Sequence, residues 1–212
     1  IASKSAIRPF PSTQQQQQQP LNKHKWNDKI PCKVAASVDI TDFESNHFLP
    51  FLQSSTCHKD IIQSRLTPFI QYAIVAANEA LNDANWNPSL LSVKDQYETG
   101  VAIGSCLNDV GEITAVHDLL NENNFRRVNP LFVPKILLNM PSGYVSIQYQ
   151  AKGPNVCVST ACATGAHAIA DAYRYIQSGD ARVMIAGGTE ACLNAVAFSG
   201  FSRLRALCTS FD

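Results

Sequence analysis

Cys162 lies within "VSTACATGAHAIADAYRYI" (158–176), between a β-branched run and a stretch of small residues. Two chemistries compete for it. A free cysteine is ordinarily a small, inert hydrophobe of the interior. A thiol at a strand-to-helix junction instead faces the unbonded N–H groups and the positive end of the helix dipole. That setting lowers a thiol pKa from about 8.5 toward neutrality and enriches the nucleophilic thiolate. The same N–H groups could bind the oxyanion formed when a thioester carbonyl is attacked. Ala161, Ala163, Thr164 and Gly165 leave room for a substrate to approach. On the residues alone, core thiol and nucleophile both stand.

The other reactive residue types form no comparable setting. His167 follows Cys162 by five residues and projects about 140° away on a helix turning 100° per residue, so it reads as a satisfied core histidine. Cys32, Cys57, Cys106, Cys157, Cys192 and Cys208 are scattered without a CxxC pair and read as reduced packing thiols. They and the histidines at 24, 47, 58, 117 and 167 lack metal-ligand spacing, and no metal is expected. "AGG" in "MIAGGTE" is too short for a dinucleotide fingerprint, and no GxSxG elbow occurs.

The elements that must position Cys162 are punctuated regularly. "TPFIQYAIVAANEALNDANW" predicts a helix with Thr67 as N-cap and Pro68 in the first turn. Its buried face is expected from Phe69, Tyr72, Ala73, Ala76, Ala80 and Leu81, with Asn85 and Pro88 ending it. "TGVAIG" (99–104) reads as a short buried strand. Asp109 and Glu112 stand at capping-box spacing before another helix. "VPKILLNMPSGYVSIQY" reads as a helix interrupted at Pro141, and "NVCVST" as a strand. The Cys162 helix should stop near Gly179, followed by the strand "RVMIAGG" and the short helix "NAVAFSGF". Strands alternating with helices predict an α/β layered fold with a mostly parallel sheet. Residues 163–170 are almost all small or apolar, so the first two turns of the Cys162 helix are expected to be buried on every side, between two sheets.

Composition bounds the rest. The 212 residues are 45% hydrophobic and 16% charged, which suits a globular protein with a substantial core. Lys plus Arg and Asp plus Glu both number 17, so no global field argues for nucleic acid or an anionic membrane. No apolar run approaches the roughly 20 residues of a membrane-spanning helix. Residues 1–29, with six glutamines between prolines, read as a disordered low-complexity segment, and 30–212 as the globular part. "SKSAIR" near the start is the weak trace of a cleavable presequence.

Several stretches together resemble the β-ketoacyl-acyl-carrier-protein synthases, the elongating condensing enzymes of fatty acid synthesis. "STACATGAHAIADAYRYIQSGDARVMIAGGTEA" is similar to the segment around that family's acylated cysteine. "FIQYAIVAANEALNDANW", "TGVAIGS", "FVPKILLNMPSGYVSIQYQAKGPN" and "GFSRLRAL" resemble its other landmarks in the same order. "IPCKVAASV" and "FVPKILLNM" look closest to the mitochondrial, bacterial-type stand-alone enzyme.

The resemblance implies a thiolase-like αβαβα fold, here mainly its N-terminal half, lacking the first strand and the C-terminal half. It implies Cys162 as nucleophile, taking an acyl group as a thioester while its own N–H forms half of an oxyanion hole. Malonyl-carrier would then lose carbon dioxide, and the carbanion would attack that thioester. Leu107 and Phe201 fall at acyl-pocket positions, and Phe132 and Val133 where the family reaches the partner subunit's pocket, which implies a homodimer. Arg126, Arg127 and Arg205 match basic positions that meet the acidic acyl carrier protein. On the residues alone, the first four read equally as core and the arginines as solvated surface. The resemblance implies no cofactor beyond the carrier's phosphopantetheine arm, no nucleic acid or membrane partner, and a mitochondrial matrix address, with cytoplasm or plastid as alternatives.

The family's catalytic histidines and lysine would lie beyond Asp212, so an incomplete chain is expected, able to be acylated but not to condense. The competing readings are a thiolase, a chain-initiating synthase, a polyketide ketosynthase, and a non-catalytic dimerising or carrier-binding fragment.

Overall fold

A computed structural model describes residues 66–209, together with Ile7–Pro9, Cys32 and Val34–Ala36. The segment Ile7–Pro9 (β1) pairs antiparallel with Val34–Ala36 (β2), Ile7 opposite Ala36. The disorder expected across 1–29 therefore does not hold at 7–9, where the backbone is a strand. The remainder of 1–29, the glutamine run included, lies outside the described residues, as does Cys57.

From residue 66 onward helices and strands alternate. The helix Pro68–Asp83 (α1) begins with Pro68 in its first turn, where the missing N–H costs nothing. Thr67 precedes it, but its hydroxyl donates to the Lys135 carbonyl (3.1 Å) instead of capping the helix. The short helix Val93–Tyr97 (α2) is capped by Ser92 and leads into the strand Thr99–Gly104 (β3), every residue of which is buried. Asp109 caps Val110–Asn121 (α3) by accepting the Glu112 N–H at 2.9 Å. Burial raises the Asp109 pKa, while its helix N–H bonds oppose the shift.

Next come Phe132–Ile136 (α4) and Met140–Tyr149 (α5). Their break falls at 137–139, not at Pro141. Pro141 sits in the first turn of α5, the one helical place where proline forfeits no hydrogen bond. Asn155–Val156 (β4), Thr164–Ser178 (α6), Val183–Gly188 (β5) and Ala195–Arg203 (α7) complete the order.

The sheet runs β4-β3-β5, all parallel, with Val101 opposite Asn155 and Gly104 opposite Gly188. Successive β3 side chains face opposite ways. Val101 and Ile103 join Phe69, Ile70, Ile74 and Leu81 of α1 and Val145 and Tyr149 of α5 in one core. Gly104 faces the other way, against Thr164 of α6. The result is a helix–sheet–helix stack with β3 at its centre. The α1 face differs from the expected one: Ile70, Ile74, Val75 and Ala77 are buried, while Ala76 and Ala80 are exposed.

The expectation of a Cys162 helix buried all round is also overturned. Thr164, Ala168 and Ala172 of α6 are buried against the sheet. On its outer side Ile169, Tyr173 and Ile176 are 58%, 64% and 45% exposed. No second sheet covers that side among the described residues, so the small-residue pattern of α6 outruns the burial this chain provides.

Candidate active site

The site begins where β3 and β5 end side by side. Gly104 and Gly188 close these strands, and α6 starts directly over them. A Cβ at Gly104 would stand 2.3 Å from Thr164 Cγ2 and 2.5 Å from the Val158 carbonyl; one at Gly188 would stand 3.1 Å from Gly165 Cα. Only bare backbone lets the helix start approach this closely.

The same crowding shortens β4. "NVCVST" was expected to be a strand through Thr160, yet pairing stops at Val156. Val158 crosses over the end of β3 at Gly104, which takes the chain out of the ladder and into the turn that carries Cys162.

That turn, Ala161–Ala163, is a 3₁₀ turn running into α6. Ala161 holds a left-handed φ of 51°, a conformation costing a residue with a Cβ roughly 1–2 kcal/mol. Two braces hold it. Thr164, buried, accepts the Thr160 N–H (2.9 Å) through its hydroxyl and donates to the Ala161 carbonyl (2.7 Å). His167 Nδ1 meets the Thr160 hydroxyl at 2.7 Å. His167 is thus exposed and occupied as a brace, not the core histidine expected from the sequence. Its ring reaches back past the 3₁₀ turn to Thr160, which lies ahead of the helix.

Cys162 itself is exposed. None of the described residues buries it, and the nucleophile reading stays open. The sulfur stands at the carboxyl edge of a parallel sheet, where open α/β folds place their ligands, on backbone held in a costly conformation by hydrogen bonds. Other thiols differ. Cys106, Cys157 and Cys192 are partly covered, and burial raises the pKa of each. Cys157 donates to the Leu138 carbonyl at 3.2 Å. Cys208 is exposed near the end of the described residues.

Beside Cys162, the loop after β3 is tied to the loop after β5 by Glu190. Its Oε2 accepts the N–H groups of Cys106 and Leu107, both at 3.0 Å, and the Cys106 thiol at 3.1 Å. Its Oε1 accepts the Ser105 hydroxyl at 3.4 Å. Burial first, then the bond to Glu190 and its charge, push the Cys106 thiol up to about 11. The Cys192 and Cys162 thiols add to the same push. Gly104, directly before this loop, packs against Thr164, two residues after Cys162. Sequence reasoning missed Glu190. Its trace was the carboxylate just past the apolar strand "VMIAGG", where a charge belongs at the edge of a sheet.

The remaining candidate residues divide. Leu107 is half-buried, on the Glu190-bound loop. Phe201 is partly exposed on α7, whose Phe198 is buried. Phe132 and Val133 lie in α4, which an ion pair between Lys135 and Glu112 (3.1 Å) fastens to α3. Phe132 is half-buried and Val133 is 56% exposed. Arg126 and Arg127 lie on an exposed 3₁₀ turn after α3, and Arg205 follows α7 with a left-handed φ of 56°. None of the three arginines makes an ion pair among the described residues.

A parallel α/β sheet ending beneath a left-handed turn that carries an exposed thiol defines a class: layered α/β proteins with a cysteine at the carboxyl edge of the sheet. The chain belongs to the β-ketoacyl synthase family, whose N-terminal domain matches residues 1–212. It is 51% identical over 144 residues to the mitochondrial 3-oxoacyl-[acyl-carrier-protein] synthase of Arabidopsis thaliana, covering 68% of this chain and 31% of that protein. It is 40% identical over 185 residues to 3-oxoacyl-[acyl-carrier-protein] synthase 2 of Rhizobium meliloti (strain 1021), covering 87% of this chain and 42% of the relative.

Among solved structures, a β-ketoacyl synthase from Burkholderia phymatum STM815 superposes with a TM-score of 0.69 at 23% identity, over 97% of this chain and 44% of that one. A ketosynthase in complex with its type II polyketide acyl-carrier protein superposes with a TM-score of 0.68 at 21% identity, over 99% and 44%. These likenesses establish the thiolase-like layered fold. The chain spans less than half the length of each of these relatives.

Proposed function

We propose that this chain carries the acyl-accepting part of a β-ketoacyl-acyl-carrier-protein synthase of fatty acid synthesis. The observation that carries the reading is the exposed Cys162 on its braced, left-handed turn. The Cys162 sulfur attacks the thioester carbonyl of an acyl-carrier. Its own backbone N–H, at the opening of α6, donates to the oxyanion of the tetrahedral intermediate. Collapse of that intermediate breaks the bond to the phosphopantetheine sulfur, which leaves as a thiol with the Cys162 proton, and the acyl group stays on Cys162. In the whole protein, malonyl-carrier then loses carbon dioxide, and its carbanion displaces Cys162 to give the β-ketoacyl-carrier two carbons longer. Atoms and charges balance without a metal or redox cofactor.

On this reading Leu107, Phe132, Val133 and Phe201 belong to the acyl pocket, and Arg126, Arg127 and Arg205 meet the carrier. The open arginines suit an acidic partner, the uncovered apolar side of α6 suits burial beneath the rest of the whole protein, and Phe132 and Val133 suit a homodimer contact. A mitochondrial matrix location rests on the mitochondrial naming of the Arabidopsis relative. The test is incubation with hexanoyl-carrier, followed by intact-mass and peptide analysis. Cys162 should gain one hexanoyl group, while the 212-residue chain alone forms no β-ketoacyl product. A folded protein that leaves Cys162 unmodified overturns the proposal.

A further inference from the structure

We infer that Glu190 is a positioning residue that sets the wall met by the acyl chain on Cys162. The inference deepens the proposed function and rests on it. One carboxylate binds three consecutive residues, Ser105, Cys106 and Leu107, and two of its four bonds go to backbone N–H groups at 3.0 Å. A carboxylate satisfying two backbone donors holds a loop more firmly than neutral partners do.

The neighbouring joints point the same way. Thr189 N–H donates to the Gly104 carbonyl (3.0 Å), and the Thr189 hydroxyl to the Phe69 carbonyl (2.6 Å). The loop after β5 is therefore anchored to β3 and α1 before Glu190 reaches across. The loop after β3 is held at Ser105, whose backbone meets the Cys157 thiol, and at Cys106 and Leu107 by Glu190. It continues into Asn108, at a left-handed φ of 47°, whose buried Oδ1 finds no hydrogen-bond partner among the described residues. Glu190 thus transfers the rigidity of one loop to the other, and Leu107 travels with its own N–H.

A residue that merely stabilised the fold would affect all substrates alike. A residue that fixes the wall must change the relation between short and long chains. The protein as a full chain, with Glu190→Gln and Glu190→Asp, is assayed for single-turnover acylation of Cys162 from butyryl- and dodecanoyl-carrier. The rate ratio of the two substrates should shift about fivefold or more in Glu190→Gln. Glu190→Asp, which keeps the charge on a shorter stem, should recover part of the shift.

Iodoacetamide labelling of Cys106 at pH 9 supplies a readout that needs no acyl substrate. Removing the charge beside a thiol whose ionisation it suppresses should raise labelling severalfold. An unchanged ratio and unchanged labelling, in variants that stay folded, would overturn the inference. Should the parent protein fail to be acylated at Cys162, the acyl-transfer reading fails, and the Cys106 arm alone still decides whether Glu190 holds the loop.

Discussion

Two cysteines stand at the ends of neighbouring stretches of the same sheet region, and their surroundings are opposite. Cys106 follows β3, partly covered and bonded to a carboxylate, with its ionisation pushed up to about 11. Cys162 opens the approach to α6, exposed, on a turn whose preceding residue is forced left-handed. Both side chains are the same thiol. Burial first and the Glu190 carboxylate second mute Cys106, while backbone geometry leaves Cys162 exposed. The strain at Ala161 is tolerated because Thr164 and His167 brace it from two sides, the pattern expected where conformation serves a site.

The contrast can be broken most completely at the sulfur. Cys162→Ser should reduce acylation by more than ~1000-fold, whereas Cys106→Ser should leave transfer to Cys162 within a few-fold; single-turnover rates decide. Next in size is the seat of the helix. Gly104→Ala, whose methyl would collide with Thr164 and the Val158 carbonyl, should cost about 3 kcal/mol in denaturant unfolding. Gly188→Ala, with its looser 3.1 Å contact, should cost about 1 kcal/mol. Equal costs would mean the strand ends do not set the closeness of α6.

The brace comes third. Thr164→Val keeps the shape but orphans the Thr160 N–H, so stability should drop by about 1–2 kcal/mol and acylation by roughly tenfold. Thr164→Ser should restore both. The smallest effect belongs to Ala161→Gly. Relief of the left-handed strain and the added freedom of the unfolded chain nearly cancel, leaving stability within about 1 kcal/mol of the parent. Acylation should nonetheless slow, because the turn loses its fixed aim. A faster rate would show that the strain hinders presentation of the thiol.

What was legible in the sequence was local. The strand at 99–104, the Asp109 cap and the stop at Gly179 are each specified by residues within a few positions, and each lies where expected. Gly179, at φ 84°, ends α6 because glycine enters the left-handed region without a steric penalty. The errors were of another kind. Cys157–Thr160 have strand residues but no ladder, because Val158 must cross Gly104. His167 looked like core because its neighbours are small, yet its bond to Thr160 holds it in the open. The outer side of α6 reads as buried, but burial needs a partner surface, and a residue pattern records the demand without naming the supplier.

The amino-acid order by itself determined the alternation of strands and helices, the caps and stops, and the place of a thiol before a run of small residues. Those depend on short-range sterics and hydrogen bonds that each segment carries within itself. Whether that thiol would be sealed or offered, and which carboxylate would reach the loop beside it, were decided only when β3, β5 and α6 met. Residues more than eighty positions apart, Cys106 and Glu190, then shared two hydrogen bonds, and no local rule links two such distant positions.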